Sequence, residues 1–265
     1  MGSQIIFFEK NKADYSNTSV VATASQGNEY APYVLNRSNE SAWMTTGSVD
    51  ADNTTLEIDF NDLRTISDLI LIKHNFKSFT IQYWDGDAWQ NFSTPISENA
   101  CNKSTSYYQF TPVGVLKIRI TIYGTQVANS DKYLFQVITT VRLGQLEGWP
   151  VIKGARHNKN RKTSSMLSGK SMVVDNVGGF ECQLAVKEWR LANDIALIEL
   201  LQESSSGFLV WLCGGEENQF FSRVQGYRAE DVFLMKCKSD YSPEFAAGMY
   251  RRGLVLKIDL VEVTD

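Results

Sequence analysis

Apolar and polar residues alternate with period two through several short stretches of the first half. Thr55-Leu56-Glu57-Ile58-Asp59-Phe60 and Phe79-Thr80-Ile81-Gln82-Tyr83-Trp84 both do so, and both are rich in β-formers. Each predicts a strand with one buried face. Asp85-Gly86-Asp87 then separates two aromatic runs, a hairpin signal because the turn needs positive φ. Val115 to Ile122 alternates again, and Tyr133 to Leu143 predicts a closing strand. Short strands with turn signals between them and no helical period argue for a β-sandwich or jelly roll.

The second half reads as strand, turn, strand, helix, strand. Ser171 to Asp175 predicts a strand, Gly178-Gly179 a turn, and Phe180 to Val186 a second strand. Leu191, Ile195, Ile198 and Leu201 or Gln202 recur at spacings of three and four, with Asn193 or Asp194 as cap and Ser204-Ser205-Ser206-Gly207 as stop. Phe208 to Cys213 is an almost continuous apolar run, the pattern of a central strand covered on both faces. Val232 to Cys237 and Gly253 to Val263 complete an antiparallel sheet, giving a β-sandwich flanked by one α-helix. The chain is therefore expected to be mainly β.

Charge divides the 265 residues. Residues 1–148 carry 11 Lys+Arg against 15 Asp+Glu, and 149–265 carry 15 against 15. No acidic residue stands between Glu147 and Asp175, while Lys153, Arg156, Lys159, Arg161, Lys162 and Lys170 lie among Gly, Ser, Thr and Asn. Like charge with little apolar content predicts a mobile basic arm over 153–170. The composition changes at Gly148-Trp149-Pro150, where proline disfavours helix, so the expected domains are 1–148 and 149–265.

Candidate chemistry is sparse. With two histidines, His74 at a strand end and His157 in the basic segment, histidine-centred sites are hard to build. Phosphate-loop, dinucleotide, zinc-protease and nucleophile-elbow motifs do not occur. Glu216-Glu217 and Glu230-Asp231 are the tempting carboxylate pairs, but neighbours along a strand point apart. The expectation is no catalysis and no cofactor. Cys101, Cys182, Cys213 and Cys237 lack paired spacing and read as free, mostly buried thiols of a reducing compartment. Six N-x-S/T sequons in a Ser/Thr/Asn-rich segment read as accidental, since the start of the chain shows neither a secretory nor a myristoylation signal. Apolar runs fall far short of the ~18–20 residues a membrane crossing needs. Asp50, Asp52 and Asn53 cluster oxygens that suit calcium, a solvated turn being the other reading. Trp43, Trp84 and Trp89 could stack on a sugar or belong to the core.

Two resemblances sharpen this picture. Ala31-Pro32-Tyr33-Val34-Leu35-Asn36 followed by Ser41-Ala42-Trp43 resembles the early segment of galactose-binding-like, discoidin-type jelly rolls, with Asn36 where Asp is usual and Arg37 where Gly is usual. Thr55 to Phe60, Phe79 to Trp89 and Val115 to Ile120 are similar to that family's later strands, so the likeness covers roughly residues 15–146. It implies a jelly roll whose loops bind sugars, lipids or proteins, with Tyr30, Tyr33 and Trp43 as candidate glycan contacts. The lone Cys101 cannot make the disulfide that closes secreted members.

Residues 150–265 resemble the tail-tube-like fold of bacteriophage tail-tube, distal-tail and baseplate-hub proteins. The likeness rests on the basic segment Lys153 to Lys170, the strand–helix–strand order Phe180 to Leu212, and the ending Arg251-Arg252-Gly253 with Leu254 to Val263. It implies a structural subunit of a virion tail, assembled in the bacterial cytoplasm. Such a subunit forms a homo-oligomeric ring of three or six copies with other tail or baseplate proteins, the basic arm docking on a neighbour. The alternative implied by the first half is a carbohydrate-binding module for a host surface. Nucleic acid is disfavoured as a partner, because the chain is acidic overall and the arm has no interleaved aromatics.

Overall fold

The computed structural model describes residues 5–37, 40–47, 50, 52–146, 151–165, 171–188, 192–204, 206–211, 232–238, 244–245 and 254–263. It is mainly β, as the alternation predicts. Strand β1 (Ile6–Phe8) opens the chain, followed by β2 (Val21–Ala24), a 3-10 helix (Asn28–Leu35), β3 (Trp43–Met44), β4 (Thr54–His74), β5 (Phe76–Trp84), β6 (Trp89–Glu98), β7 (Ser106–Thr125) and β8 (Tyr133–Thr140). Then come β9 (Arg142–Gln145), β10 (Val151–Ser165), β11 (Ser171–Glu188), α1 (Ala192–Glu203), β12 (Phe208–Trp211), β13 (Val232–Cys237), β14 (Glu244–Phe245) and β15 (Leu254–Glu262).

Contacts divide the chain into two compact units, Asn11–Arg142 and Met1–Lys10 with Leu143–Asp265. The expected domains 1–148 and 149–265 differ from this at the amino terminus and at the boundary, which falls after Arg142. Ile6, Phe7 and Phe8 pair with Trp211, Val210 and Leu209, so β1 belongs with the later residues. All three are buried, and in a strand buried on both faces alternation is absent as a signal. The single closing strand expected over Tyr133 to Leu143 is two, β8 in one unit's sheet and β9 in the other's.

In the unit 11–142, β4 and β7 form one long antiparallel ribbon that serves both leaflets of a jelly-roll sandwich. The first part of β4, Thr54–Asp59, pairs with Lys117–Ile122, and the second, Arg64–Leu71, with Ser106–Val115. The register breaks between Asp59 and Arg64, where Asn61 adopts φ 58° and donates its backbone N–H to Asp59 Oδ1 at 2.9 Å. Asparagine tolerates this left-handed conformation better than a β-branched residue would. Beyond the bend, β2, β5 and β6 extend one leaflet and β8 and β3 the other. Leu56, Ile58 and Phe60 alternate inward from β4 to meet Phe79, Ile81, Ile118, Ile120 and Val137 in the core. Each such side chain contributes about 1.5–3 kcal/mol on burial.

In the other unit, the described strands form an eight-stranded sheet, β10-β11-β15-β13-β12-β1-β9 with β14 on β15. Helix α1 seats Leu197, Ile198 and Leu201 in a core with Phe7, Leu184, Phe208, Val210, Met235 and Ile258. It ends where expected: Ser204 Oγ donates to Gly207 O at 3.0 Å, and Gly207 has φ 88° with room for no methyl, since Met235 O would lie 2.9 Å away. The four residues of β12 are all buried, as the continuous apolar run predicts.

Two expectations for this unit are corrected. Residues 153–165 of the supposed mobile arm lie in a strand, β10, paired with β11. The register sets the cationic positions Arg161 and Arg156 opposite the acidic positions Asp175 and Glu181, an arrangement that favours a ladder over a repelling coil. Lys153, Lys159 and Lys162 also lie on β10, while Lys170 is outside the described residues. Gly178-Gly179 is not a turn. His157 stands opposite Phe180 and Lys159 opposite Val177, so the glycines fall in a register shift, the usual place for glycine within a strand.

His74 closes β4 and lies in the jelly-roll core between Phe76 and Phe79, at centroid distances of 5.0 and 5.7 Å. Burial pushes it from 6.5 down to about 4. Its folded-state pKa lies below its unfolded value, so the unfolded chain binds the proton more tightly and stability rises with pH across this window. The expected outcome is full stability above about pH 6.5 and a loss of about 3 kcal/mol by pH 4. Denaturant unfolding across that range checks it: His74→Gln should flatten this part of the slope at some cost in stability at neutral pH.

Candidate functional site

The register brings many chain turns to one end of the jelly roll. Ala24 pairs with Leu56, Met44 with Tyr133, His74 with Leu134 and Phe76 with Thr125. The 3-10 helix, residues 45–47, 50 and 52–53, and the loops 99–105 and 126–132 therefore gather there. Asn75, between β4 and β5, holds the loop 126–132: its amide donates to Asp131 O at 2.7 Å, its Oδ1 accepts from Tyr133 N at 3.0 Å, and its carbonyl accepts from Gln126 N at 2.8 Å.

The 3-10 helix places the tyrosines. It starts at Gly27, with φ 62°, where an added methyl would fall 2.0 Å from Met44 O, so only glycine permits the approach. Tyr30 N donates to Gly27 O at 3.0 Å, and Asn36 N to Tyr33 O at 3.0 Å. Ala31, Val34 and Leu35 turn into the core. Residues three apart eclipse in a 3-10 helix. Tyr30 and Tyr33 accordingly stack, with centroids 6.1 Å apart and planes at 29°. Tyr30 leans on the core, while Tyr33 is 42% exposed.

Trp43 does not join them. It is fully buried, sets its edge on Phe76 at 6.3 Å and donates Nε1–H to Gln26 O at 3.1 Å. Its neighbour Met44 takes the outward position of the strand, which removes Trp43 from the candidate glycan contacts. Trp84 and Trp89 lie half-buried on the β5–β6 hairpin, 5.4 Å apart. The Arg119 guanidinium covers one face of Trp89 at 3.8 Å and is held by Glu57 at 2.7 Å. Together with Lys117–Asp59 this makes an ordinary polar ladder across the outer sheet, and such exposed pairs are worth about 0–1 kcal/mol each.

Lys132 occupies the region where the sequence suggested calcium. The residue is fully buried, and its ammonium donates to Asp52 O and, at 3.0 Å, to Thr54 Oγ1. Its backbone exchanges two hydrogen bonds with Thr45, Lys132 N to Oγ1 at 2.9 Å and Thr45 N to Lys132 O at 3.0 Å. Asp50 Oδ1 accepts from Thr125 N at 3.1 Å and Thr125 Oγ1 at 2.6 Å, bonds that hold its carboxyl below the ordinary range. Among the described residues no group of three or more His, Cys, Asp or Glu is arranged to hold a metal. Of the oxygens the sequence offered to calcium, the Asp52 carbonyl and the neighbouring Thr54 hydroxyl accept from the ammonium, and Asp50 Oδ1 accepts from Thr125.

The one histidine–hydroxyl–thiol chain among the described residues is structural in its bonding. Phe76 N donates to His74 Nδ1 at 3.1 Å, so Nε2 carries the proton and donates to Ser106 Oγ at 2.8 Å. A neutral imidazole in that tautomer cannot take the serine's proton. Cys101 Sγ lies 3.6 Å from the same hydroxyl. Cys101, Cys182 and Cys237 are free, and burial pushes Cys182 and Cys237 up to about 12 and about 11. Cys213 and the pairs Glu216-Glu217 and Glu230-Asp231 lie outside the described residues. No helix among the described residues is long and apolar enough to cross a membrane.

No family model matches the sequence, and no curated protein matches it. Solved structures do. Chitosan-binding module 1 of a Paenibacillus sp. IK-5 chitosanase/glucanase aligns at TM-score 0.41 and 17% identity, covering 49% of this chain and 98% of the module. The module CBM32-5 from Clostridium perfringens, in complex with GalNAc-β-1,3-galactose, aligns at TM-score 0.40 and 10% identity over 46% of this chain and 96% of its own. The family 32 carbohydrate-binding module of C. perfringens NanJ, in complex with galactose, aligns at TM-score 0.40 and 14% identity over 51% of this chain and 98% of its own.

Proposed function

We propose that the unit 11–142 is a carbohydrate-binding domain without catalytic activity of its own, and that its loop end is the binding surface. The observation that carries this reading is the Tyr30–Tyr33 stack, with Tyr33 42% exposed on a helix fixed by core contacts. A rigid aromatic ring gives the apolar face of a pyranose a platform at little entropic cost, while its hydroxyl and nearby loop amides meet the sugar's own hydroxyls. Met44 and Val127 are exposed at the same end and extend the apolar surface. Chitosan fragments and galactose are the first probes. Isothermal titration of the full chain is expected to give saturable binding to one of them. Tyr33→Ala should weaken it at least ~10-fold, as loss of a buried ring contact does, with little change in thermal stability. Binding untouched by Tyr33→Ala and Tyr30→Ala would overturn the site.

A second reading concerns the other unit. Among the described residues, the β10–β11 hairpin puts a 15-residue strand, β10, at one edge of the sheet. A long edge is a template for pairing with another chain, and closed symmetric assembly satisfies it. This supports an assembly subunit of a phage tail or tail-like particle that displays the jelly roll towards a host glycan, with other tail or baseplate proteins as partners. Mass photometry of the purified chain is expected to show a ring of three or six copies, weakened by deletion within 153–170. A monomer at every concentration counts against self-assembly.

A further inference from the structure

We propose that the Lys132 ammonium is the built-in cation of the jelly roll's loop end, setting these loops and the tyrosine-bearing helix without a bound metal. A lysine is almost never fully buried unless its charge is paired. Here the partners come from a distant segment: the Asp52 carbonyl and the Thr54 hydroxyl, with the Asp50 and Asp52 carboxylates adding field. These are hard oxygen donors of the kind that calcium takes. A second cation beside the ammonium would meet like-charge repulsion at contact distance.

The same residue is linked to the candidate platform through continuous contacts. The Lys132 backbone holds Thr45 by two hydrogen bonds, donating to its hydroxyl and accepting from its N–H, and Thr45 follows Met44. The Met44 carbonyl packs against Gly27, whose own carbonyl accepts the Tyr30 N–H that begins the helix. Burial pulls the lysine's pKa below its ordinary value, and the Asp52 and Asp50 charges oppose that pull. A tethered ammonium needs no ion from solution. Loop order then becomes independent of calcium concentration.

The inference deepens the binding proposal by assigning Lys132 as a positioning residue for Tyr30 and Tyr33, and its test needs no sugar, so the two can fail separately. Thermal unfolding and hydrogen exchange of the full chain are measured with calcium chloride, with EDTA and with neither. Wild type is expected to show the same Tm and the same protection in all three. Lys132→Met should lower Tm by roughly 5–10 °C and speed exchange over 25–54 and 126–133 while leaving the 85–88 hairpin unchanged. Ethylammonium should restore part of the loss in Lys132→Ala. A saturable rise of the wild-type Tm with calcium would overturn the proposal, and that measurement stands even if both variants fail to fold. Unchanged exchange over 25–54 in a folded Lys132→Met would overturn the positioning role.

Discussion

A strand of 21 residues paired along most of its length with one of 20 can enclose a core only if the ribbon bends. The jelly roll depends on that bend. At Asn61 the chain leaves the ladder, the register shifts, and the ribbon continues as part of the opposite leaflet. Everything at the loop end follows from it. Because β4 turns back, its start at Thr54 and its finish at His74 arrive at the same end of the sandwich, which gathers the lysine's acceptors and the histidine cluster beside the tyrosine helix. Had β4 continued straight, these groups would sit at opposite ends of a flat sheet.

The alternation in Thr55 to Phe60 and Phe79 to Trp84, the Asp-Gly hairpin and the helical spacing from Ile195 to Leu201 were readable because each is a local pattern. Elements defined by distant partners were not. Ile6-Phe7-Phe8 has no period, and its strand exists because Leu209 to Trp211 offers a free ladder late in the chain. The basic segment looked like a coil because charge was counted along the chain. The acidic positions that oppose it lie across the ladder.

The candidate site was half legible. Tyr30 and Tyr33 stood out as aromatic residues between strands, and their i, i+3 spacing matches the helix that stacks them. Trp43 misled because a two-residue strand is too short to show which neighbour faces inward. Lys132 gave no signal at all: Asp131-Lys132-Tyr133 reads as a solvated charge pair before a strand, and only the tertiary arrival of Asp52 and Thr54 makes it a buried cation. Asp50 and Asp52 were noticed for the right chemistry, since oxygens do gather there around positive charge. The source of that charge is the chain itself.

The unit 11–142 also satisfies its own ends. Asn11 is nearly buried; its amide donates to Ala13 O and Val137 O at 3.1 Å each, and its Oδ1 accepts from Ala13 N and Thr139 N. At the other end Ser67 Oγ accepts from Arg142 N at 3.1 Å. These bonds use neutral groups, where a charge would carry a desolvation cost it could recover only through a dedicated partner. The strands that precede and follow the unit, β1 and β9, are neighbours in one sheet, so the polypeptide leaves and rejoins that sheet between adjacent strands. An insertion at such a place takes no backbone hydrogen bond from its host ladder. The physical requirement is only that the inserted residues close on themselves, and the Asn11 and Ser67 bonds meet it.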